Sequence, residues 1–169
     1  MKEILIRLDR CLGCRACELA CAVEHSVTKN LFTAIGEKPV PRKRVYLEYV
    51  LEKSIPLLCR HCEDAPCVRV CRTGALTQDT LTRVVKPEET KCIGCWTCSM
   101  VCPYGVIGRK LEERVAVKCD RCPNRDIPAC VEACPTRALV YAEEAEFAAL
   151  KRRQAATIVA EGYTVAKVA

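Results

Sequence analysis

The sequence has few of the side chains from which proteins usually build a large core or a catalytic site. Its 169 residues include one tryptophan, two phenylalanines, five tyrosines and two histidines. So few large rings predict a thin hydrophobic core, which in a small protein calls for an additional stabilising element such as bound metal. The scarcity of histidine and the lack of a phosphate loop or nucleotide fingerprint leave no candidate substrate site. We therefore expect a protein that is not itself an enzyme.

Long hydrophobic runs are also missing. No stretch approaches about 18 uninterrupted apolar residues, so the sequence predicts no membrane-spanning helix. The first cysteine, Cys11, is reached before any apolar segment typical of a secretory signal, and no twin-arginine pair precedes it. We therefore expect a cytoplasmic protein, because thiols stay reduced and available to metal in that compartment.

Cysteine, by contrast, is abundant: there are 16. They fall into four groups of four with none left over, and each group has three residues between its third and fourth cysteines. Only the middle gap varies in length, where a loop can grow without moving the ligands. In chain order, motifs one to four are Cys11, Cys14, Cys17 and Cys21; Cys59, Cys62, Cys67 and Cys71; Cys92, Cys95, Cys98 and Cys102; and Cys119, Cys122, Cys130 and Cys134.

Motif three has the spacing C-x₂-C-x₂-C-x₃-C-P, with which bacterial ferredoxins hold iron–sulfur clusters through thiolates. Its first three sulfurs surround one cluster, whereas Cys102 lies one helical turn further on and points towards a different cluster. Pro103 follows this motif, and Pro135 follows motif four in the same way. Sixteen cysteines in this arrangement predict four [4Fe–4S] clusters.

Zinc is the strongest alternative, since C-x₂-C pairs also form Cys₄ zinc sites. Zinc knuckles, however, pair two C-x₂-C units across a long spacer and need neither a third cysteine three positions on nor the x₃-C-P ending. The spacing therefore favours iron–sulfur clusters over zinc and over a zinc-dependent nucleic-acid module. A disulfide scaffold is disfavoured by the expected reducing compartment.

The formal net charge of +6 does not by itself indicate a nucleic-acid surface. A [4Fe–4S] cluster with its four thiolates carries about −2 when oxidised, so four of them would bring the chain to about −2. The excess of lysine and arginine then balances cluster charge. Arg15, Lys91, Lys118 and Arg121 flank predicted ligands, and two interpretations stay open for them: they raise a cluster's potential, or they are ordinary solvated charges.

Other residues beside the motifs have predicted supporting roles. Gly13 and Gly94 let backbone N–H groups approach a cluster. Trp96 shields a cluster from water, with an electron exit as the alternative. For His61, a hydrogen bond to backbone or to cluster sulfur is favoured over metal ligation, because the cysteines already complete the ligand sets. His25 is interpreted as a surface or helix-end residue.

Hydrophobic patterning predicts short elements around the motifs. The similarity of residues 71–76 to residues 134–139 indicates duplicated units. The last predicted helix is interpreted as packing on its own domain, with docking onto a partner as the alternative. The predicted elements are a strand at 3–8, a short helix after Cys17, a loop at 26–43, a strand at 44–51, a hairpin of 75–77 with 82–85, a strand at 138–141 and a helix at 143–161.

The four motifs together resemble those of the four-cluster ferredoxin-like electron-transfer subunits of the dimethyl sulfoxide reductase and formate dehydrogenase family. The resemblance covers roughly residues 3–142 and rests on all 16 cysteines. It implies an α+β fold of two ferredoxin-like halves, each with two clusters, and a C-terminal helix. One half comprises residues 1–30 and 108–142 with motifs one and four, the other comprises residues 44–107 with motifs two and three, and residues 143–169 form the C-terminal helix and tail.

The spacing indicates that each fourth cysteine serves a neighbouring cluster, and the resemblance implies which neighbour. Motif one exchanges its fourth cysteine with motif four, and motif two with motif three. The implied ligand sets are Cys11, Cys14, Cys17 and Cys134 at site 1; Cys21, Cys119, Cys122 and Cys130 at site 2; Cys59, Cys62, Cys67 and Cys102 at site 3; and Cys71, Cys92, Cys95 and Cys98 at site 4.

The resemblance implies a relay of single electrons between a catalytic redox enzyme and a second electron-transfer protein. Residues 17–26 are most similar to the iron–sulfur protein that partners carbon monoxide dehydrogenase, so that enzyme is the favoured partner. Formate dehydrogenase, hydrogenase and other molybdopterin oxidoreductases are the alternatives. Neither a nucleic acid nor a membrane span is expected.

Overall fold

Short strands and helices alternate along the chain in the computed structural model, which describes residues 1–168 and the side chains of residues 1–161. Residue 169, the last of the predicted tail, lies outside this range. Single-turn 3₁₀ helices precede motifs one and three, at Leu8–Arg10 and Glu89–Lys91. The other elements are β1 (Lys2–Ile6), α1 (Ala16–Glu24), α2 (Leu31–Ala34), β2 (Val45–Val50), β3 (Lys53–Leu58), α3 (Pro66–Arg69), β4 (Leu76–Gln78), β5 (Val85–Pro87), α4 (Thr97–Met100), β6 (Gly108–Lys110), β7 (Val115–Val117), α5 (Ala129–Glu132), β8 (Leu139–Glu143) and α6 (Glu144–Val168).

The strands form four separate antiparallel pairs. Three are hairpins of consecutive strands: β2–β3, β4–β5 and β6–β7. The fourth joins β1 to β8, with Ile4 opposite Tyr141, and so brings the two ends of the motif-bearing chain together. The arrangement confirms the predicted α+β class, and it places motif one beside motif four.

Two small hydrophobic cores hold these elements, and cysteines form part of both. Motifs one and four contribute to the first core, and motifs two and three to the second. Because buried thiols occupy positions that large side chains would otherwise fill, the chain builds both cores with few aromatic residues. The first core contains Ile4, Cys17, Cys21, Val45, Leu58, Cys130 and Leu139, and the second contains Ala65, Cys67, Leu76, Val85, Cys98, Ile107 and Ala116.

Each predicted strand and helix has a counterpart, namely β1, α1, β2, the β4–β5 hairpin, β8 and α6. Besides the single helical turns α3, α4 and α5 and the two 3₁₀ turns, three features were not predicted. A helical turn, α2, lies within the predicted loop at 26–43, where the Asn30 side chain accepts a hydrogen bond from the N–H of Phe32 at 3.0 Å. Strand β3 contains Pro56, which a two-stranded ribbon tolerates because its outer edge needs no hydrogen bond. The short β6–β7 hairpin carries too little apolar alternation to be recognised.

The packing of two hairpins differs from the predicted division into halves. Val45 and Leu58, from the β2–β3 hairpin, lie in the first core with motifs one and four. Ala116, from the β6–β7 hairpin, lies in the second core with motifs two and three. Each core therefore includes a hairpin from the stretch of chain that the division assigns to the other half, and the boundaries themselves stay a prediction.

Helix α6 follows β8 directly, and its first turns contact strands β1 and β8. Lys151 pairs there with Asp9 at 3.0 Å. Further along, Ile158 and Val159 are 70% and 71% exposed. The beginning of the helix thus packs on its own domain, whereas its later turns present apolar residues to solvent. Within residues 1–168, no helix combines the length and the apolar character that crossing a bilayer requires.

Replacing Leu139 by alanine is expected to destabilise the first core. Leu139 is 2% exposed and packs among the cysteines of motifs one and four. Leucine-to-alanine changes at such positions cost about 2–5 kcal/mol of unfolding free energy. The denaturant midpoint, followed by circular dichroism without oxygen, should fall. Leu111→Ala, at a leucine that is 62% exposed, should leave it nearly unchanged; equal effects of the two substitutions would contradict this account of the core.

Candidate metal centres

The 16 cysteines are all free thiols, and twelve of them line three cavities in sets of four. Each of these sets is one of the predicted ligand sets. The cavity at site 1 is lined by Cys11, Cys14, Cys17 and Cys134, that at site 3 by Cys59, Cys62, Cys67 and Cys102, and that at site 4 by Cys71, Cys92, Cys95 and Cys98.

At site 2, a polar network joins motif one to motif four. The sulfur of Cys21 accepts a hydrogen bond from the N–H of Arg44 at 3.2 Å, and the Arg44 guanidinium binds Asp120 at 2.6 Å. The His25 ring contacts the carbonyl of Cys21 at 2.7 Å and Asp120 at 3.3 Å. Asp120 also accepts the N–H of Cys122 at 3.0 Å. The end of motif one is thereby fastened to the C-D-R-C turn of motif four.

The other cysteines of the site 2 set lie beside Cys21. Burial, together with the nearby charges of Cys119, Cys21 and Cys122, raises the pKa of the Cys130 thiol. Because a metal binds the thiolate form, metal binding at such a thiol is coupled to proton release. The site 2 set has more buried cysteines than any of the other three sets: Cys21, Cys122 and Cys130 are all buried.

Of the two interpretations of His25, the helix-end position is confirmed and the surface position is wrong. His25 ends helix α1, and its side chain is only 12% exposed because it bridges to Asp120. Burial alone would lower the pKa of His25, yet hydrogen bonds to Asp120 and Cys21 raise it to about 9. The ring is therefore protonated at neutral pH and donates from both nitrogens. Asp120 lies 95 positions away in sequence, so no local pattern indicated this bridge.

All four motifs share one backbone feature. The residue before the second cysteine has a positive φ: +72° at Gly13, +47° at His61, +67° at Gly94 and +61° at Arg121. Glycine adopts this left-handed conformation without strain, whereas histidine and arginine do so at some cost. The turn aims backbone N–H groups at sulfur. The backbone N–H of His61 donates to the sulfur of Cys59, and the backbone N–H of Arg121 donates to the sulfur of Cys119, both at 3.4 Å.

The fourth cysteines of motifs two and four accept further hydrogen bonds. The N–H of Ala138 donates to the sulfur of Cys134 at 3.2 Å, and the hydroxyl of Thr136 lies 3.8 Å from it. Thr73 stands in the same relation to Cys71, at 3.7 Å. Burial would raise the pKa of both thiols, but these donors hold it below its usual value. The thiolate, which is the form that binds metal, is favoured at both positions.

The four cationic residues that flank the motifs differ in solvent exposure. The side chains of Arg15 and Lys91 are 65% and 54% exposed, so these two are solvated charges. Arg121 and Lys118 are 8% and 0% exposed. Arg121 binds the carboxylate of Glu3 at 3.2 Å. Arg15 and Lys91 are therefore ordinary solvated charges, whereas Lys118 and Arg121 are not.

His61 is buried and bonded to the backbone, as predicted. Its Nδ1 accepts the N–H of Val85 at 2.9 Å, so the ring proton resides on Nε2. Burial and the nearby charges of Lys118 and Arg121 lower the pKa of His61 to about 2. The imidazole is therefore neutral at every physiological pH.

Trp96 lines the cavity of site 4 and is half-buried. The guanidinium of Arg109 lies over its ring, 5.3 Å from the centroid. The cysteine beside it, Cys95, is exposed. Trp96 thus covers one side of a site whose other side faces solvent.

Sets of four convergent thiols, with backbone N–H donors aimed at their sulfurs, match the ligands that [4Fe–4S] clusters require. These features define an iron–sulfur protein. The profile of the 4Fe-4S dicluster domain matches residues 51–144, more than half of the chain, and the chain belongs to this family. It confirms the predicted [4Fe–4S] cofactor, to which the 16 cysteines supply enough ligands for four clusters, and it disfavours the zinc and disulfide alternatives.

Relatives extend over most of the chain. The Putative electron transport protein YsaA of Escherichia coli (strain K12) is 39% identical over 140 residues, which cover 80% of this chain and 86% of that protein. The Iron-sulfur protein of Rhodospirillum rubrum is 42% identical over 148 residues, which cover 78% and 76%. Electron transport protein HydN of Escherichia coli (strain K12) is 37% identical over 172 residues, which cover 90% and 96%. The resemblance is thus confirmed at the level of electron-transfer iron–sulfur proteins.

Gly94→Ala is expected to disturb site 4 more than the same change at Gly105. Both glycines have a positive φ, at +67° and +62°, so alanine is strained by about 1–2 kcal/mol at either position. Only at residue 94 would the added Cβ also meet backbone, 2.5 Å from the carbonyl oxygen of Arg114; at residue 105 nothing lies within 4 Å.

The two variants should therefore differ in thermal midpoint and in iron bound per chain, with Gly94→Ala lower in both. Equal losses would show that the conformation, and not the close approach to Arg114, requires glycine at position 94.

Proposed function

We propose that the chain is an electron relay in which sites 1 to 4 hold one [4Fe–4S] cluster each, through the four ligand sets given above. The observation that carries this proposal is that three cavities are each lined by one complete set and by no other cysteine. When bound, a [4Fe–4S] cluster takes up and releases one electron at a time. The chain's own part is to fix the order, spacing, hydrogen bonding and solvent exposure of the four sites.

The order of the sites supports a relay. Cys17 of site 1 and Cys130 of site 2 pack in the first core. Cys67 of site 3 and Cys98 of site 4 pack in the second core. Lys118 joins sites 2 and 3, because its ammonium donates to the carbonyls of Cys119 and of Val85, which lines the cavity of site 3. The four sites therefore form a continuous series, and an electron entering at either outer site has a neighbour to pass to at every step.

The two outer sites have the features of entry and exit points. Of the 16 cysteines, Cys14 at site 1 and Cys95 at site 4 are exposed. Each lies in a C-x₂-C turn whose second residue is an exposed apolar side chain, Leu12 at 74% and Ile93 at 60%. An apolar side chain beside a solvent-facing ligand suits transient contact with another redox protein. One outer site would then serve the catalytic enzyme and the other a second electron carrier.

We propose carbon monoxide dehydrogenase in the cytoplasm as the enzyme partner, on the similarity of residues 17–26 stated above. Formate dehydrogenase, hydrogenase and other molybdopterin oxidoreductases are the alternatives. The names of the three relatives describe electron transport and iron–sulfur proteins without specifying an enzyme. They support the relay and leave the choice of partner to experiment.

Iron and acid-labile sulfide analysis of protein purified without oxygen tests the relay directly. Four clusters require about 16 iron and 16 sulfide per chain, with coupled signals of reduced clusters in electron paramagnetic resonance (EPR). About four zinc and no sulfide would overturn the proposal.

Paired cysteine variants then test the ligand sets. Cys134→Ser with Cys11→Ser removes two ligands from one proposed site, so the double variant should retain about 12 iron, as either single variant does. Cys134→Ser with Cys119→Ser affects two sites and should retain about eight, because losses at independent sites add. The reverse pattern would assign Cys134 to the site of its own motif.

The partner is identified by reduction of the oxidised protein in the presence of a catalytic enzyme and its substrate. Carbon monoxide dehydrogenase with carbon monoxide should bleach the visible absorption of the clusters within seconds at equimolar enzyme, whereas the chain with carbon monoxide alone should not change. Formate dehydrogenase with formate and hydrogenase with hydrogen are the matched alternatives. Faster bleaching by either would replace the proposed partner, and bleaching by the chain with carbon monoxide alone would show an enzyme.

A further inference from the structure

Lys118 is a fully buried cation without an acidic partner. Its side chain is 0% exposed, and its ammonium donates to the carbonyl oxygens of Val85 at 2.7 Å and Cys119 at 3.0 Å. No carboxylate among the side chains of residues 1–161 forms an ion pair with it. A charge removed from water in this way is strongly disfavoured unless an opposite charge lies nearby.

The charged groups around Lys118 do not supply that opposite charge. Arg121 is a second cation, already bound to Glu3. His61 is neutral. The acidic residue two positions further along, Asp120, is engaged by Arg44 and His25. The remaining candidates for negative charge are the cysteine sulfurs and whatever they bind.

Lys118 lies at the junction between sites 2 and 3. Its ammonium is bonded to the carbonyl of Cys119, a predicted ligand at site 2. Its other acceptor, Val85, is bonded through its N–H to His61, within the C-R-H-C turn of site 3. Val85 itself lines the cavity of site 3. One cation is thus bonded to backbone at both neighbouring sites.

We propose that Lys118 is the internal counter-ion of the two middle clusters and raises their reduction potentials. The proposal rests on the function proposed above. Each one-electron reduction adds a negative charge at its site, and a fixed positive charge within the protein stabilises that form. Low-dielectric surroundings make this effect larger than that of a solvated lysine. The two middle clusters are therefore easier to reduce than they would be with only their cysteine ligands around them.

The sequence contains a matched control. Lys91 precedes the first cysteine of motif three as Lys118 precedes that of motif four. Lys91 is 54% exposed and paired with Glu88 at 2.8 Å. Its charge is therefore screened by water and by a carboxylate, and its removal should leave the potentials in place.

Lys118→Met and Lys91→Met are compared in the full chain by EPR-monitored redox titration without oxygen. Iron and sulfide analysis first establishes that each variant carries the wild-type number of clusters, which separates a failure of the proposed function from a failure of this inference. In Lys118→Met, one or two of the four midpoints should fall by at least tenfold in the reduction equilibrium constant, which is 59 mV for one electron. Lys118→Arg, which keeps the charge, should lie close to wild type.

Unchanged midpoints in a fully loaded Lys118→Met protein, or an equal shift in Lys91→Met, would overturn the inference. If Lys118→Met does not retain iron, Lys118→Gln is titrated instead, because glutamine keeps a hydrogen-bond donor while losing the charge. A lowered midpoint in Lys118→Gln supports the inference, and an unchanged one overturns it. If both neutral variants lose iron, retention by Lys118→Arg supports a counter-ion, whereas loss in that variant too assigns Lys118 a packing role and overturns the proposal.

Discussion

Sulfur atoms from distant parts of the chain have to meet, and most of the fold follows from that requirement. Cys134 lines a cavity with the first three cysteines of motif one, although more than a hundred residues separate them. The β1–β8 sheet makes this approach feasible, because it joins the strand before motif one to the strand after motif four. The His25–Asp120–Arg44 network does the same for Cys21. Secondary structure is short here because it only needs to deliver ligands.

The placement of hydrogen-bond donors and charges around equivalent sulfurs differs from one motif to another. The first C-x₂-C turn of every motif has a positive φ at the residue before its second cysteine, yet that residue is glycine in two motifs and histidine or arginine in the others. Where it is not glycine, its side chain is buried and bonded: the ring of His61 accepts the N–H of Val85, and Arg121 binds the carboxylate of Glu3. A repeated backbone is in this way given different electrostatic surroundings at each copy.

Sequence spacing and hydrophobic alternation predicted the four cysteine motifs and the positions of β1, β2, the β4–β5 hairpin and β8, because both are local properties. The α+β class and the ligand sets were implied by the resemblance; the structure confirms the class, and the ligand sets stay a prediction. The β2–β3 hairpin was half missed because Pro56 interrupts its pattern. The sequence did not indicate which charged side chains are buried. Lys91 and Lys118 occupy the same position relative to a motif, and only the tertiary structure makes one exposed and the other wholly enclosed. His25 illustrates the same limit, since its partner is remote in sequence.

The pairing of β1 with β8 also bears on biosynthesis. All cysteines that line the cavities of sites 3 and 4 lie between residues 59 and 102, whereas Cys134 lines the cavity of site 1. As the chain leaves the ribosome, the thiols that line sites 3 and 4 have all been made while the set that lines site 1 still lacks Cys134. The order of synthesis thus makes the cysteines of the inner segment available first, and the two ends of the motif-bearing chain can pair only after β8 has been made.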